Sequence, residues 1–313
     1  MNKIKLTLAF LVLPLLCAAA KTETTKFAER IFIDGNEAAY SAFPSSYVSP
    51  RMVRFVTPKD YKKNSKTYPV VYVLGESKNK KVVDSPDAVF IFVPLATGID
   101  TKENISKFLT NELMPYAETN YRVSDEPRYR LLAARGVYCD YAADVFNLQR
   151  KINNLALIDV SAIDVNFPAR GRIWLAGSKK NILAVNEKLK AAGFLFGKNM
   201  LYSFTEDSTF NDLPLTLIFG AKYLPEDFNF TAAVDMPAVP IAYDGPIVLS
   251  AKLGLKNGVS VDYIIDKVAF SKDAFTWMPG NQVFFIKNGA EKGSYTAKVA
   301  FGGKNAAAKL KLY

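Results

Sequence analysis

The feature that most constrains the fold of this chain is an alternation of short apolar runs with helical patterns between about residues 47 and 220. Residues 68–74 and 88–94 are apolar on both faces, as strands in the middle of a sheet are. Residues 105–120 repeat their apolar side chains at close to every 3.6 positions, which predicts a helix. This alternation predicts a mostly parallel sheet with helices packed on it. Further strands are predicted at 130–134, 156–160, 172–176 and 201–204, a helix at 181–192, and a helix after residue 136 with Val137, Tyr141, Val145 and Leu148 on one apolar face.

The pattern changes after about residue 224, where no helical run interrupts a series of strand-like segments. Six or seven short strands in about 90 residues, with turn sequences such as Asn257-Gly258 and Asn288-Gly289, predict a β-sandwich. The Pro-bearing stretch 236–246 is interpreted as either a linker or an edge strand. We therefore predict an α/β domain at 51–222 and a separately stable β-sandwich domain at 228–313. The strands are predicted at 228–234, 247–253, 259–270, 282–286, 294–301 and 306–312.

The first 20 residues have the order of a signal peptide. Lys3 and Lys5 form a basic start, residues 6–16 are apolar, and the alanines at 18–20 suit signal peptidase. Export to the periplasm or out of the cell is therefore predicted, with an N-terminal segment at 21–50 before the first domain. Leu16 is bulky where a lipobox needs a small residue, which argues against a lipid anchor on Cys17. No later apolar run reaches membrane-spanning length.

The 313 residues include no histidine, which limits the chemistry open to this chain. A Ser-His or Cys-His nucleophile pair and a His-containing metal site are excluded. No spacing of metal ligands and no phosphate-binding Gly-rich loop is present, so we expect no metal and no cofactor. The net charge of +10 includes a lysine-rich run at 59–66 that is interpreted as a solvated loop, and nucleic-acid binding is not expected. Trp174 lies in a predicted strand and is interpreted as a core residue rather than a sugar platform.

Residues 51–220 resemble the esterase D-like branch of the α/β-hydrolases. The resemblance rests on residues 53–61 followed by the strand at 68–74, and most of all on residues 108–116 with 120–123. It implies a three-layer α/β-hydrolase domain. Residues 293–299 are similar to the penultimate strand of an immunoglobulin-like domain, in which a tyrosine anchors the corner. That likeness implies an immunoglobulin-like sandwich at the C-terminus.

The resemblance breaks at the catalytic positions. The family's nucleophile is the serine of a Gly-x-Ser-x-Gly turn between a strand and a helix, and here residues 134–138 read Ala-Arg-Gly-Val-Tyr, which places Gly136 at the serine position. Lys180 stands at the position of the acid, and Ser208 at the position of the histidine. The His-Gly pair of the oxyanion loop corresponds to Gly75 and Glu76. Because a nucleophile and its base act as a unit, these losses imply a pseudo-esterase with no catalytic residue.

The vestigial pocket would bring several charged residues together. We predict that they pair internally and close the pocket, with Arg135 contacting at least one of three carboxylates, because unpaired buried charges are costly. In the alternative, Arg135 and the lysines hold an anionic group such as an acidic sugar or a partner's carboxylate. Cys139, the one candidate for a replacement nucleophile, has no imidazole to deprotonate it and is interpreted as a buried structural thiol. The charged residues are Glu76, Arg135, Lys179, Lys180, Glu206 and Asp207.

Three functions remain open at this level. The first, which we favour, is a non-catalytic binding or scaffold protein that presents surfaces to a protein or glycan of the cell envelope. The second is an esterase that acts on acyl or carbohydrate esters through a non-standard site, such as carboxylates with a water. The third is a purely structural component of the cell surface. The sequence therefore predicts that the chain is not an enzyme and leaves the partner unnamed.

Overall fold

The computed structural model describes residues 30–34, 37–75, 87–96, 98–161, 163–205, 208–256 and 258–313. The predicted signal peptide at 1–20, Cys17 with it, lies outside the described residues, as do Glu76, Glu206 and Asp207. No helix in the described part of the chain is long and apolar enough to cross a membrane.

The α/β part is built on one sheet of nine strands. In space the strands follow the order β1-β2-β3-β5-β4-β6-β7-β8-β9. Strands β4 to β9 run parallel to their neighbours, whereas β1, β2 and β3 form an antiparallel meander that joins the sheet at β5. The predicted mostly parallel sheet is thus confirmed, and β1 and β2 add to it. The strands are β1 Arg30–Asp34, β2 Glu37–Phe43, β3 Arg51–Val56, β4 Val70–Leu74, β5 Val89–Val93, β6 Arg130–Arg135, β7 Asn154–Ile158, β8 Arg172–Ala176 and β9 Met200–Ser203.

The longer helices of the described residues all pack on one face of this sheet. Helix α1, Lys102–Phe108, continues through a π-helical turn at Leu109–Leu113 into α2, Met114–Asn120. Helix α3 is Cys139–Leu148, and helix α4 is Lys179–Ala191. They share one apolar cluster with alternate side chains of strands β4 to β9. This is one half of the helical covering that the α/β-hydrolase resemblance implies.

The predicted apolar face of α3 is buried in its middle and exposed at its ends, since Val145 is fully buried and Tyr141 packs against the core cluster. Val137 and Leu148 are 84% and 49% exposed, whereas Ala142 and Phe146 are fully buried. Ala143 and Val145 are fully buried as well, so both small and large apolar residues face the sheet. Val137 lies in the 3-10 turn before the helix and Leu148 is the last helical residue, so the two ends of the predicted face reach the surface.

The opposite face of the sheet departs from the expected three layers. Within the described residues, its helical cover consists of a 3-10 turn at Phe210–Asp212 and the short helix α5, Leu215–Ile218. Trp174 and Leu201 of the sheet instead share an apolar cluster with Leu253 and Val261 from the C-terminal strands. The C-terminal region therefore occupies part of the place of a second helical layer.

The C-terminal region consists of strands only. Strands β10, β12, β16 and β15 form one sheet, to which β13 adds beside β12, and β11, β18, β17 and β14 form a second sheet. The two sheets enclose one apolar core, to which Leu249 and Phe284 contribute from the first sheet and Tyr295 and Leu310 from the second. The strands are β10 Asn229–Val234, β11 Ala238–Val239, β12 Ile247–Gly254, β13 Ser260–Tyr263, β14 Ala269–Phe270, β15 Phe275–Met278, β16 Val283–Ile286, β17 Gly293–Phe301 and β18 Lys304–Leu312.

Details of this region refine the sequence prediction. The single strand predicted at 259–270 is two strands, β13 and β14, and β15 was not predicted at all. The 236–246 stretch contains β11, a two-residue edge strand beside β18. Tyr295 is buried, and its hydroxyl donates to the backbone oxygen of Glu291 at 2.6 Å, four residues upstream. This hydrogen bond fixes the start of β17 against the segment that precedes it.

The terminal strand β9 of the large sheet is not left open. Strand β13 lies against it, and the backbone N–H of Phe204 donates to Asp262 Oδ2 at 2.6 Å. The backbone N–H of Ile264 donates to the Tyr202 hydroxyl at 2.9 Å. These bonds attach the C-terminal region to the sheet edge as well as to its face.

Candidate functional site

A strand-to-helix turn lies at Gly136, the residue that the sequence analysis aligned with the family's serine. Strand β6 ends at Arg135, and Gly136 follows with φ of +58°. A 3-10 turn at Gly136–Tyr138 then leads into α3. A Cβ built on Gly136 would meet nothing within 4 Å, so the position that would expose a hydroxyl is open. The backbone at Gly136 thus makes a left-handed strand-to-helix turn, and glycine supplies no side chain there.

The second glycine of the elbow pattern is replaced by Tyr138, and its ring fills space next to Gly75. Gly75 directly follows β4 and has φ of +117°. A Cβ on Gly75 would lie 2.5 Å from Cδ2 of Tyr138 and 2.9 Å from Cγ. The aromatic ring therefore covers the backbone at the position that corresponds to the oxyanion loop.

Arg135 pairs with an acidic residue that the sequence analysis did not consider. Its Nε lies 2.5 Å from Oδ2 of Asp159, and both side chains are about one-third exposed. Asp159 directly follows β7, which runs parallel to β6, and it adopts φ of +52°. Internal pairing of Arg135 is thus present, but with Asp159. The predicted contacts of Arg135 with Glu76, Glu206 or Asp207 are not tested, because these three residues lie outside the described residues.

A second ion pair holds the loop between β5 and α1 against β3. Arg51 donates from Nη1 and Nη2 to the two carboxylate oxygens of Asp100 at 2.7 and 2.8 Å. The N–H of Ala96 donates to the same carboxylate at 2.7 Å, and the Tyr141 hydroxyl donates to the backbone oxygen of Asp100 at 3.2 Å. Burial opposes ionisation of Asp100, but these hydrogen bonds and the Arg51 charge together lower its pKa. The pair ties β3 to the loop before α1, and Tyr141 ties α3 to that loop.

Cys139 has the surroundings of an unreactive thiol. It is 1% exposed, and its Sγ lies 3.3 Å from the backbone oxygen of Ile158. Burial raises the pKa of Cys139 to about 12. A thiol with this pKa is almost fully protonated at neutral pH and is a poor nucleophile.

Lys179 and Lys180 lie at the start of α4, where the Ser178 side chain caps the helix by accepting from the N–H of Asn181. Burial lowers the pKa of Lys179, and the charges of Asp235 and Asp262 oppose that shift. Both lysines line a groove of about 830 Å³ between α4 and residues 264–281 of the C-terminal region. In the same groove Lys190 pairs with Asp266 at 2.9 Å, so positive and negative charges are mixed there.

Ser208 lies in a different cavity, of about 420 Å³, at the carboxyl ends of β7, β8 and β9. We call it the hydroxyl-lined cavity. Its polar lining is Ser203, Thr205, Ser208, Thr209, Asn211, Asp212 and Ser260, and its apolar lining is Ile158, Trp174, Ala176, Leu213, Pro214 and Val259. Ser208 is 4% exposed and donates to the backbone oxygen of Thr205 at 3.3 Å.

The structure therefore divides the residues that the sequence analysis placed in one vestigial pocket. Gly75 and Gly136 lie near Tyr138, Lys179 and Lys180 line the groove beside α4, and Ser208 lines the hydroxyl-lined cavity. A third cavity, of about 580 Å³, includes Tyr68, Tyr129 and Phe219 in its lining. Gly136 lines none of these three spaces. No group of three or more acidic, Cys or His residues that could hold a metal occurs in the described part of the chain.

Sequence reasoning missed Asp159, the Tyr138 ring on Gly75 and the hydroxyl-lined cavity. The strand predicted at 156–160 included Asp159, whereas β7 ends at Ile158, so Asp159 follows the strand and lies at the carboxyl edge of the sheet. No sequence pattern marks the cavity, since its lining comes from three strands, the turn around 210 and the β12–β13 connection.

Comparison with known proteins gives a fold-level likeness and nothing closer. No protein-family model matches the chain, and no curated protein matches it in sequence. A ferulic acid esterase structure is 14% identical with a TM-score of 0.44, covering 59% of this chain and 97% of that one. The feruloyl esterase module from Clostridium thermocellum is 11% identical with a TM-score of 0.42 over 55% and 80% of the chains. Enterochelin esterase from Shigella flexneri is 13% identical with a TM-score of 0.42 over 58% and 56%. At these TM-scores the likeness carries no argument about what this chain does.

Proposed function

We propose that this chain is an exported, non-catalytic protein with an esterase-like α/β-hydrolase fold, which binds a protein or glycan partner at the cell envelope. The observation that supports the proposal most directly is Gly136. It holds the left-handed turn between β6 and α3, where the fold would expose a nucleophile, and it has no side chain to react. A turn of this shape without a reacting side chain fits a scaffold better than an enzyme.

The surroundings of Gly136 support the same conclusion. Tyr138 covers Gly75, and Arg135 is engaged by Asp159. The one thiol of the described residues, Cys139, is buried and protonated. A general base contributes roughly 10²- to 10⁴-fold to hydrolysis, and the chain contains no histidine to act as one.

The C-terminal region supports the binding half of the proposal. We propose that it is an immunoglobulin-like sandwich, because its strands form two sheets around one core and Tyr295 makes the corner hydrogen bond. Domains of that kind display loops at the two ends of the sandwich. Such loops would be the surfaces presented to an envelope partner.

The alternative is an esterase whose site lies away from Gly136. The observation in its favour is the hydroxyl-lined cavity, where five hydroxyls and the Asp212 carboxylate come together. Against it, Asp212 Oδ2 already accepts from the N–H and the hydroxyl of Thr209 at 2.7 and 2.9 Å. A carboxylate engaged in this way is poorly placed to take a proton from a water.

Hydrolysis of short acyl aryl esters by the purified protein tests the proposal. We expect the rate to equal the buffer background, and Gly136→Ser to stay at that background, because the new hydroxyl would have no base. Gly280→Ser is the matched control, since a Cβ on Gly280 also meets nothing within 4 Å. Hydrolysis by the unmodified protein that Asp212→Asn abolishes would establish the alternative. Hydrolysis gained by Gly136→Ser but not by Gly280→Ser would contradict the pseudo-esterase argument.

A further inference from the structure

The hydroxyl-lined cavity has the position and size of a small-molecule site. Ile158, Ala176 and Ser203 are the last residues of β7, β8 and β9, so the cavity lies at the carboxyl edge of the parallel strands. Ligands of open α/β sheets bind at that edge. A volume of about 420 Å³ falls in the range of sites that hold small organic ligands.

The cavity combines an apolar base with a polar rim. Trp174 and Ala176 come from the same face of β8, next to Ile158 of β7, and Trp174 and Ile158 belong to the apolar cluster on that face of the sheet. Five hydroxyls and the Asn211 amide come from the segments above them. An apolar base with convergent hydrogen-bonding groups is the arrangement of a selective binding site.

The charge of the described lining argues against an anionic ligand. Among the described residues that line the cavity, Asp212 is the one ionisable residue. Its Oδ2 is engaged by the Thr209 N–H and hydroxyl in a capping box. The described lining contains no lysine or arginine that would attract an anion.

The polar rim can both donate and accept. The hydroxyls of Ser203 and Thr205 lie 2.7 Å apart, and a hydroxyl has one donor and two acceptor sites, so each keeps capacity for a ligand. Ser260 and Asn211 are exposed at the surface of the same cavity. Several adjacent groups that donate and accept match a ligand that itself carries several hydroxyls.

We propose that the hydroxyl-lined cavity binds a neutral sugar of one or two rings. The apolar base would take the C–H face of the ring, and the rim would bond its hydroxyls. The inference rests on the proposed function, in which the chain binds without hydrolysing, and names a ligand class for it. It also revises the interpretation of Trp174, which is a core residue that lines a cavity at the same time.

Tryptophan fluorescence and titration calorimetry with methyl β-glucopyranoside and cellobiose test the proposal. The chain has two tryptophans, so the Trp277→Phe variant leaves Trp174 as the sole reporter inside the cavity. We expect a saturable change in emission and a matching calorimetric isotherm with at least one of the two sugars. Glucuronate, the anionic counterpart, is expected to bind more weakly than methyl β-glucopyranoside.

Two variants locate the binding. Thr205→Val and Asn211→Leu each remove rim hydrogen-bonding groups and are expected to weaken binding roughly two- to tenfold. Thr231→Val and Asn305→Leu are the matched controls on exposed strand positions outside the cavity, and they should leave affinity unchanged. Thermal unfolding of all four variants shows that they remain folded.

Three results would overturn the proposal. They are the absence of binding to both sugars by both methods, binding that neither cavity variant weakens, and tighter binding of glucuronate than of the neutral sugar. Ester hydrolysis is measured on the same preparation. If the protein both hydrolyses esters and binds sugar, the proposed non-catalytic function is wrong and the cavity assignment stands. If it does neither, the pseudo-esterase argument stands and the cavity assignment is wrong.

Discussion

At the scale of single residues, two left-handed glycines have opposite surroundings. Gly136 and Gly75 both have positive φ, but the space around the first is open and the space around the second is filled by Tyr138. The turn at Gly136 therefore has room for a side chain, whereas the space beside Gly75 is packed. This contrast gives a measurable difference between two identical substitutions.

We expect Gly136→Ala to lower the free energy of unfolding by about 1–2 kcal/mol, which is the cost of a Cβ in a left-handed conformation. Gly75→Ala should cost that amount and, in addition, about 1–3 kcal/mol for overpacking against the Tyr138 ring. Urea unfolding of both variants measures the difference. In a Tyr138→Gly background the extra cost at Gly75 should disappear, and equal costs of the two alanines in the native background would contradict the packing at Gly75.

The residue scale is also where sequence reasoning was least complete. The predicted strand and the helix after it are present with Gly136 in the turn between them, because long apolar runs and helical periodicity identify such elements. The partner of Arg135 was not found, because Asp159 is 24 residues away and the pairing depends on β6 and β7 being neighbours. Sequence patterns identify strands better than they identify which strands lie side by side.

At the scale of elements, the strands of the large sheet follow the predicted runs closely. Strand β8, Arg172–Ala176, coincides with its prediction, and β6 is one residue longer. Long runs of buried apolar residues leave little choice of structure. Strand β15 was missed because its four residues alternate in exposure and lie next to Pro279, which gives a pattern too short to separate from a loop.

Helix α3 and the turn before it support a direct test of which predicted apolar positions are buried. Because Ala142 is fully buried against the sheet, Ala142→Leu should lower the free energy of unfolding by about 1–3 kcal/mol. Because Val137, in the preceding turn, is 84% exposed, Val137→Lys should change the free energy of unfolding by less than about 0.5 kcal/mol. Urea unfolding measures both effects. A larger effect of Val137→Lys than of Ala142→Leu would show that Val137 is packed in the core, as the sequence predicted.

At the scale of the whole molecule, the main question is whether the C-terminal region is independent. The sequence predicted a separately stable segment at 228–313 with a protease-sensitive boundary between 224 and 246. The boundary between strand-only and mixed patterns was predictable, since periodicity changes there. The packing of Phe228, Leu253 and Val261 against the large sheet was not predictable. It joins two parts of the chain, and the sequence pattern of each part describes only that part's own strands and helices.

Because this apolar cluster is shared by the large sheet and the C-terminal region, we expect the two to unfold in one cooperative transition. Trp174 and Leu201 of the sheet would be exposed by removal of the C-terminal region, so each half alone should be less stable than the whole. Urea unfolding followed by far-ultraviolet circular dichroism and by Trp174 fluorescence in the Trp277→Phe variant should give coincident curves. Two separated transitions, or a folded isolated 228–313 segment, would show that the region is autonomous.

The hydrogen bonds between β13 and the edge of β9 have a consequence for behaviour at high concentration. A terminal strand with unpaired N–H and C=O groups is a template on which a strand of another molecule can add. Asp262 and Tyr202 instead fasten a segment of the same chain along that edge. The C-terminal region thus covers an edge on which polymerisation could start. A chain that lacks this region is expected to self-associate through the exposed edge of its large sheet.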